Sequence, residues 1–164
     1  MVMDAWTAID GAKRLRSILE RTPGLKNTPT IRLFLSGTQQ IPSFRHYIQH
    51  LDEKLGPTAS TGRPIWGSFS WSYADPSTNT YQIRAYVPGR LAKAKGIPLV
   101  NPLGKPHHGL VDHFTITVGD ESVCLSDLVR SVHCFELSYQ AALASAAQNA
   151  LPTGEELLRL EIGS

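Results

Sequence analysis

Between Arg63 and Pro88 the chain reads "RPIWGSFSWSYADPSTNTYQIRAYVP", two alternating runs joined by turn residues. The first run alternates as Ile65, Phe69, Trp71 and Tyr73, and the second as Tyr81, Ile83, Ala85 and Val87. A two-residue period is that of a strand with one apolar face, and Asp75-Pro76-Ser77-Thr78-Asn79 has the composition of a chain reversal, so the stretch is expected to be a β-hairpin.

Outward from the hairpin, helical and extended patterns fall on either side. From Asp4 to Arg21, Trp6, Ile9, Leu15, Ile18 and Leu19 lie near a 3.6-residue period, with Asp4 able to cap the start and Pro23-Gly24 to stop it, which predicts a basic amphipathic helix. The β-rich residues Thr30 to Leu35 predict a short strand closed by Ser36-Gly37. Phe44, Tyr47, Ile48, Leu51 and Leu55 recur at helical spacing and predict a single helix that Gly56-Pro57 ends. Downstream, Leu110 to Val118 alternate as a further strand, and Ser126 is placed to cap a long helix carrying Leu128, Val132, Phe135, Tyr139, Ala142 and Ala146. Strands in hairpin order with helices before and after them, instead of between every pair, point to an α+β fold: an antiparallel β-sheet flanked by helices. Residues 1–28 are expected to form an N-terminal basic helix or arm, and 29–164 a globular domain.

Length and composition narrow the class. With 164 residues and 41% apolar composition, one compact core is the default. No window approaches the ~20 apolar residues of a bilayer span, and Met1-Val2-Met3-Asp4 lacks the basic and apolar regions of a secretion signal, so neither is expected. Cys124 and Cys134 are the only cysteines, which suits a reducing compartment more than a disulfide framework.

The formal charge of +2 hides a segregation. From Lys13 to Arg32, the bases Lys13, Arg14, Arg16, Arg21, Lys26 and Arg32 are interrupted by Glu20 alone, and Arg84, Arg90, Lys93, Lys95 and Lys105 gather in a Gly/Pro-rich segment with no acid between Asp75 and Asp112. From Asp112 onward eight acids are opposed only by Arg130 and Arg159. Such a chain can attract anionic lipid or nucleic acid at one surface and pair head to tail with its own copies. Because Pro88, Pro98, Pro102 and Pro106 cannot donate to a ladder, Gly89 to Gly109 is expected to be a loop held out from the core. Its apolar centre, Ile97 to Val100 between lysines, is the composition of a peripheral membrane contact.

Signatures of catalysis fall short. The glycines before Gly104-Lys105 miss the phosphate-loop spacing, and Pro106 stands where Ser or Thr is needed to reach Mg²⁺. His46 and His50 lie at i, i+4, yet Tyr47 occupies the place where a zinc peptidase needs its glutamate, and His107-His108 and His133-Cys134 lack partners at finger spacing. No metal, cofactor or enzymatic activity is expected.

From about Leu33 to Ser122 the order of motifs resembles the globular domain of rhabdovirus matrix proteins. The shared features are a β-run leading to an aromatic-bearing helix and Gly62-Arg63-Pro64 leading into a strand. A strand ending Arg84-Ala85-Tyr86-Val87-Pro88 then precedes a basic loop, and the strand Phe114 to Val118 precedes the acidic turn Asp120-Glu121-Ser122. The chain carries no Pro-Pro-x-Tyr budding motif. The resemblance implies a noncatalytic structural protein of the virion. Such a protein polymerises with its own copies beneath the envelope, condenses the nucleoprotein–RNA complex, binds anionic membrane, supports budding and meets host factors in cytoplasm or nucleus. On that reading Lys13, Arg14, Arg16, Arg21, Arg90, Lys93, Lys95 and Lys105 are expected to meet membrane or ribonucleoprotein, and Ile97, Leu99 and Val100 to insert or self-associate. The alternative is an RNA-binding accessory protein, such as a silencing suppressor, tracking phosphates with the same basic residues.

Overall fold

The computed structural model describes residues 2–24, 27–60, 64–88 and 100–149. Among the described residues, four helices precede a four-stranded sheet and one follows it: α1 (Val2–Arg21), α2 (Pro29–Gly37), α3 (Ile41–Gln49), α4 (Leu51–Ser60), β1 (Ser68–Asp75), β2 (Thr80–Tyr86), β3 (Val111–Val118), β4 (Glu121–Cys124) and α5 (Leu125–Asn149). The strand order is β2-β1-β3-β4 and every neighbouring pair is antiparallel, so the fold is the expected α+β arrangement. Among the described residues no helix is long and apolar enough to cross a membrane.

The helix α1 is built into the core. Its Trp6, Ile9 and Ala12 join Ile41 and Phe44 of α3, Phe69 of β1, Ile116 of β3 and Leu128 of α5 in one cluster. Trp6 stacks on Tyr47 at 6.3 Å between ring centroids, and the Tyr47 hydroxyl donates to the Ile65 carbonyl at 2.8 Å, tying α3 to the approach to β1.

Residues Thr30 to Leu35 are helical, not extended. Pro29 stands at the first turn of α2, where its fixed φ and missing N–H cost nothing. Ile31 and Phe34, one helical turn apart, bury against Leu19 and Phe135, with the Phe34 and Phe135 rings 5.3 Å apart. Burial of that stripe overrides the β propensity of Thr, Ile and Phe. The single helix expected through Leu55 is two: His50 leaves helical geometry at φ −110°, ψ 30°, closing α3, and α4 starts at Leu51 and continues through Gly56 to Ser60. Phe44 is fully buried, whereas Leu55 is exposed, so the expected stripe reaches the core only in α3.

The hairpin forms as expected, but its two apolar runs face opposite ways. The pairing Asp75↔Thr80 leaves a four-residue loop in which the Asp75 carboxylate accepts from the Ser77 amide and hydroxyl at 2.9 and 2.6 Å. That loop sets Phe69 opposite Tyr86 and Trp71 opposite Arg84, while Tyr81, Ile83 and Ala85 pair with Ala74, Ser72 and Ser70. Directly paired residues share a face, so Ile83 lies on the serine side of the sheet and not on the core side.

That second face is small and polar: Ser68, Ser70, Ser72, Thr115 and Thr117 are all buried on it. A bulge interrupts β3 where Ser70 pairs with Thr115 but Ser72 with Asp112. His113, at φ +52°, lies in this irregular stretch, in a backbone region uncommon for a residue with a side chain. The strand Leu110 to Val118 is otherwise as expected, and the short β4 beyond its Gly-Asp turn is a strand the alternation did not foretell.

Candidate functional site

The expected binding residues separate into four groups, of which Val100 and Lys105, in the described part of the basic segment, are the last. Arg16 is not a surface cation: its side chain is 9% exposed and its guanidinium donates to the Leu35 carbonyl, to Thr38 Oγ1 at 2.8 Å and to Glu20 Oε1 at 2.8 Å. The helical position that puts it between Ala12 and Leu19 on the inner side of α1 aims it at the end of α2, where it donates to the Leu35 carbonyl and the buried Thr38 hydroxyl. Arg16→Ala is therefore expected to lower stability by about 1–3 kcal/mol in chemical denaturation while leaving lipid or nucleic-acid binding of the folded protein unchanged; a loss of binding without a loss of stability would return Arg16 to the surface role.

The second group is exposed. Arg14 and Arg21 lie two turns apart on the outer side of α1, with exposed Ile18 and Met3 along the same stripe. Arg14 pairs with Asp10 at 2.7 Å, and the same carboxylate receives Arg45 of α3 at 2.5 Å, a contact that, with Arg14, holds it below the usual carboxylate range. The Lys13 ammonium donates to Ser17 Oγ at 3.1 Å at the edge of the stripe. The third group, Arg90, Lys93, Lys95, Ile97 and Leu99, lies outside the described residues.

The described half of the basic segment is folded onto the sheet. Val100, Asn101 and Lys105 share a cavity of ≈ 360 Å³ with His113, Thr115, Thr117, Ser122 and Cys124, and Pro102 is buried. The His107 ring lies 5.0 Å from Tyr81 of β2 and 5.7 Å from His113, and the Leu110 carbonyl accepts from the Ala74 amide at 2.9 Å. Small hydroxyl side chains on β1 and β3 leave the room that lets this segment approach, which is why it is not held out from the core. Val100 is half-buried against these groups, so it is not an exposed apolar tip, while Lys105 stays exposed.

The anchor of the segment is Asp112, 1% exposed. Its carboxylate accepts from the amides of His108 at 2.9 Å and His113 at 2.7 Å and from Arg130 Nη1 of α5 at 2.9 Å. Burial alone would raise this carboxyl, but the Arg130 guanidinium and the two amides outweigh it and hold Asp112 well below the carboxylate range. Ser126 does not cap α5; its Oγ accepts the Phe114 amide at 3.0 Å, filling the position that β4 is too short to reach. Nothing in local spacing marks this network, because its members come together only through the bulge and the start of α5.

Other candidate chemistry is spread out. The His46 and His50 rings are 4.4 Å apart, but among the described residues no group of three His, Cys, Asp or Glu converges as a metal site. Cys124 and Cys134 are free thiols, and burial pushes the Cys124 thiol up.

Two further surfaces were not legible as sites. All seven residues of β2 are exposed, and no described strand pairs with its outer side. The helix α5 spans about 37 Å, and from His133 onward it stands largely in solvent with Leu137, Tyr139 and Leu143 exposed, as is Val129 nearer its start. No protein-family model, curated protein or solved structure matches the chain.

Proposed function

We propose that this chain is a noncatalytic viral matrix protein that self-assembles and bridges anionic membrane to a nucleoprotein–RNA complex. The observation that carries the reading is the apolar stripe of α5, which buries Leu128 in the core and runs on through Val132 and Phe135 to the exposed Tyr139 and Leu143. An apolar stripe that continues from the core into solvent marks contact with another macromolecule. An antiparallel sheet flanked by helices supports the reading, while the β-run of the motif order is replaced by the helix α2. The outer stripe of α1 supplies a membrane-facing chemistry, with Arg14 and Arg21 on either side of Ile18. Arg16 is withdrawn from that role, and Lys13, Arg14, Arg21 and Lys105 keep it together with Arg90, Lys93 and Lys95.

Sedimentation velocity at low and high salt, with flotation on vesicles containing or lacking phosphatidylserine, tests the proposal. Salt-sensitive polymers and binding confined to anionic vesicles are expected. At about 1 kcal/mol for each basic residue near the surface, combined Lys93→Ala, Lys95→Ala and Lys105→Ala should weaken vesicle binding on the order of a hundredfold. A chain that stays monomeric at every salt concentration and ignores lipid charge overturns the reading. Steeply salt-dependent binding of naked RNA without any lipid binding overturns it in favour of a nucleic-acid-binding module.

A further inference from the structure

We propose that two copies of this chain join edge to edge through β2, antiparallel and about a two-fold axis at Ile83, so that their sheets become continuous; the inference rests on the self-assembly reading and names its contact. The outer side of β2 is the sheet edge, and all its residues are exposed, Tyr81 at 55%, Ile83 at 42% and Tyr86 at 44%. Natural edges are guarded by charged side chains, Lys above all, by Pro, by a bulge or by a covering element. Within β2 there is no Lys, no Pro and no bulge, and it pairs with β1 in unbroken register from end to end. Its one charge, Arg84, is already engaged within the chain: the guanidinium lies 4.5 Å from the centroid of the Tyr73 ring on β1, and it donates to Gln82 Oε1 at 3.1 Å.

A second copy fits this edge because the strand is complementary to itself. Ile83 is the midpoint of Thr80–Tyr86, so antiparallel pairing centred there is the register that engages every residue. On one face Ile83 then meets Ile83 of the second copy and Tyr81 meets Ala85. On the other, Gln82 meets Arg84 and Thr80 meets Tyr86. No two like charges stand directly opposite, and each arginine faces a carboxamide oxygen of the kind it already binds within its own chain. A two-fold contact brings the same patch to both copies and closes, leaving α5 and the outer side of α1 for other contacts. The backbone ladder supplies attachment and the alternate side chains supply register.

In a full-length Cys134→Ser background, which removes the exposed thiol, Ile83→Cys is expected to form a disulfide-linked dimer under mild oxidant. Gln82→Cys alone should crosslink at least tenfold more slowly, and mixing Gln82→Cys with Arg84→Cys should restore the crosslink. Ile83→Lys sets two ammonium groups opposite one another and should weaken dimerisation at least tenfold with an unchanged melting temperature. Equal crosslinking of Ile83→Cys and Gln82→Cys, or undiminished association of Ile83→Lys, overturns the strand contact. If polymers and anionic-vesicle binding persist in that case, the matrix reading stands without it; a wild-type chain that is monomeric at all concentrations and salts removes both.

Discussion

Asp112→Ala is expected to lower the free energy of unfolding by about 3 kcal/mol, the largest single polar effect in the molecule. The substitution leaves the Arg130 guanidinium without its buried partner and takes the acceptor from two amides at once, those of His108 and His113. Arg130 is 37% exposed and can turn partly to water and to Asp127 at 2.6 Å, which holds the cost at the lower end for a broken buried pair. The same network predicts the acid limb. A carboxyl held lower in the folded chain than in the unfolded one stabilises fully above its ordinary value of 3.8, and that contribution is lost as pH falls through the folded value. Wild-type stability should therefore fall on acidification below about pH 4, and Asp112→Ala should flatten that fall. Urea denaturation of both proteins from pH 7 down to pH 3 measures each effect. A difference under about 1 kcal/mol at pH 7 would mean that the bulge holds without its carboxylate.

Gly67→Ala is expected to cost about 2–4 kcal/mol, and Gly104→Ala only about 1. Both glycines have positive φ, +79° and +75°. An added Cβ at Gly67 would lie 2.8 Å from the Thr117 carbonyl oxygen and 2.9 Å from a Val118 methyl, whereas nothing lies within 4 Å at Gly104. Gly104 thus reports the backbone penalty alone, and the difference between the two variants reports how closely the start of β1 must approach β3. Thermal and urea unfolding of the pair would decide it. Equal costs would mean that β3 yields to the methyl without loss.

What was legible in the sequence follows from local periodicity. The helix α1 shows a clear 3.6-residue apolar recurrence, β1, β2 and β3 show clear alternation, and α5 carries a long apolar stripe, because each is amphipathic over its length. The basic outer stripe of α1 was equally visible, although the chain pattern did not separate Arg16 from Arg14 and Arg21. Only the angle at which α1 meets the end of α2 buries one guanidinium and leaves the others in water. At Thr30 to Leu35, the nine residues of α2 were too few for periodicity to outweigh composition, and contact with Leu19 and Phe135 settled the conformation. The open edge of β2 could not be read at all, since an edge is defined by which strand is absent beside it.

By itself, then, the sequence determined the kinds of element and their antiparallel α+β grouping, because hydrophobic spacing is a property of adjacent residues. The tertiary structure decided the rest. The length of the loop between Asp75 and Thr80 assigned faces to Tyr81 and Ile83, and the bulge in β3 brought Asp112 to Arg130. The small hydroxyl face then let the segment from Val100 to Leu110 fold down. Each of these depends on register and on approach between residues far apart in the chain, where a shift of one position exchanges the two faces of a strand.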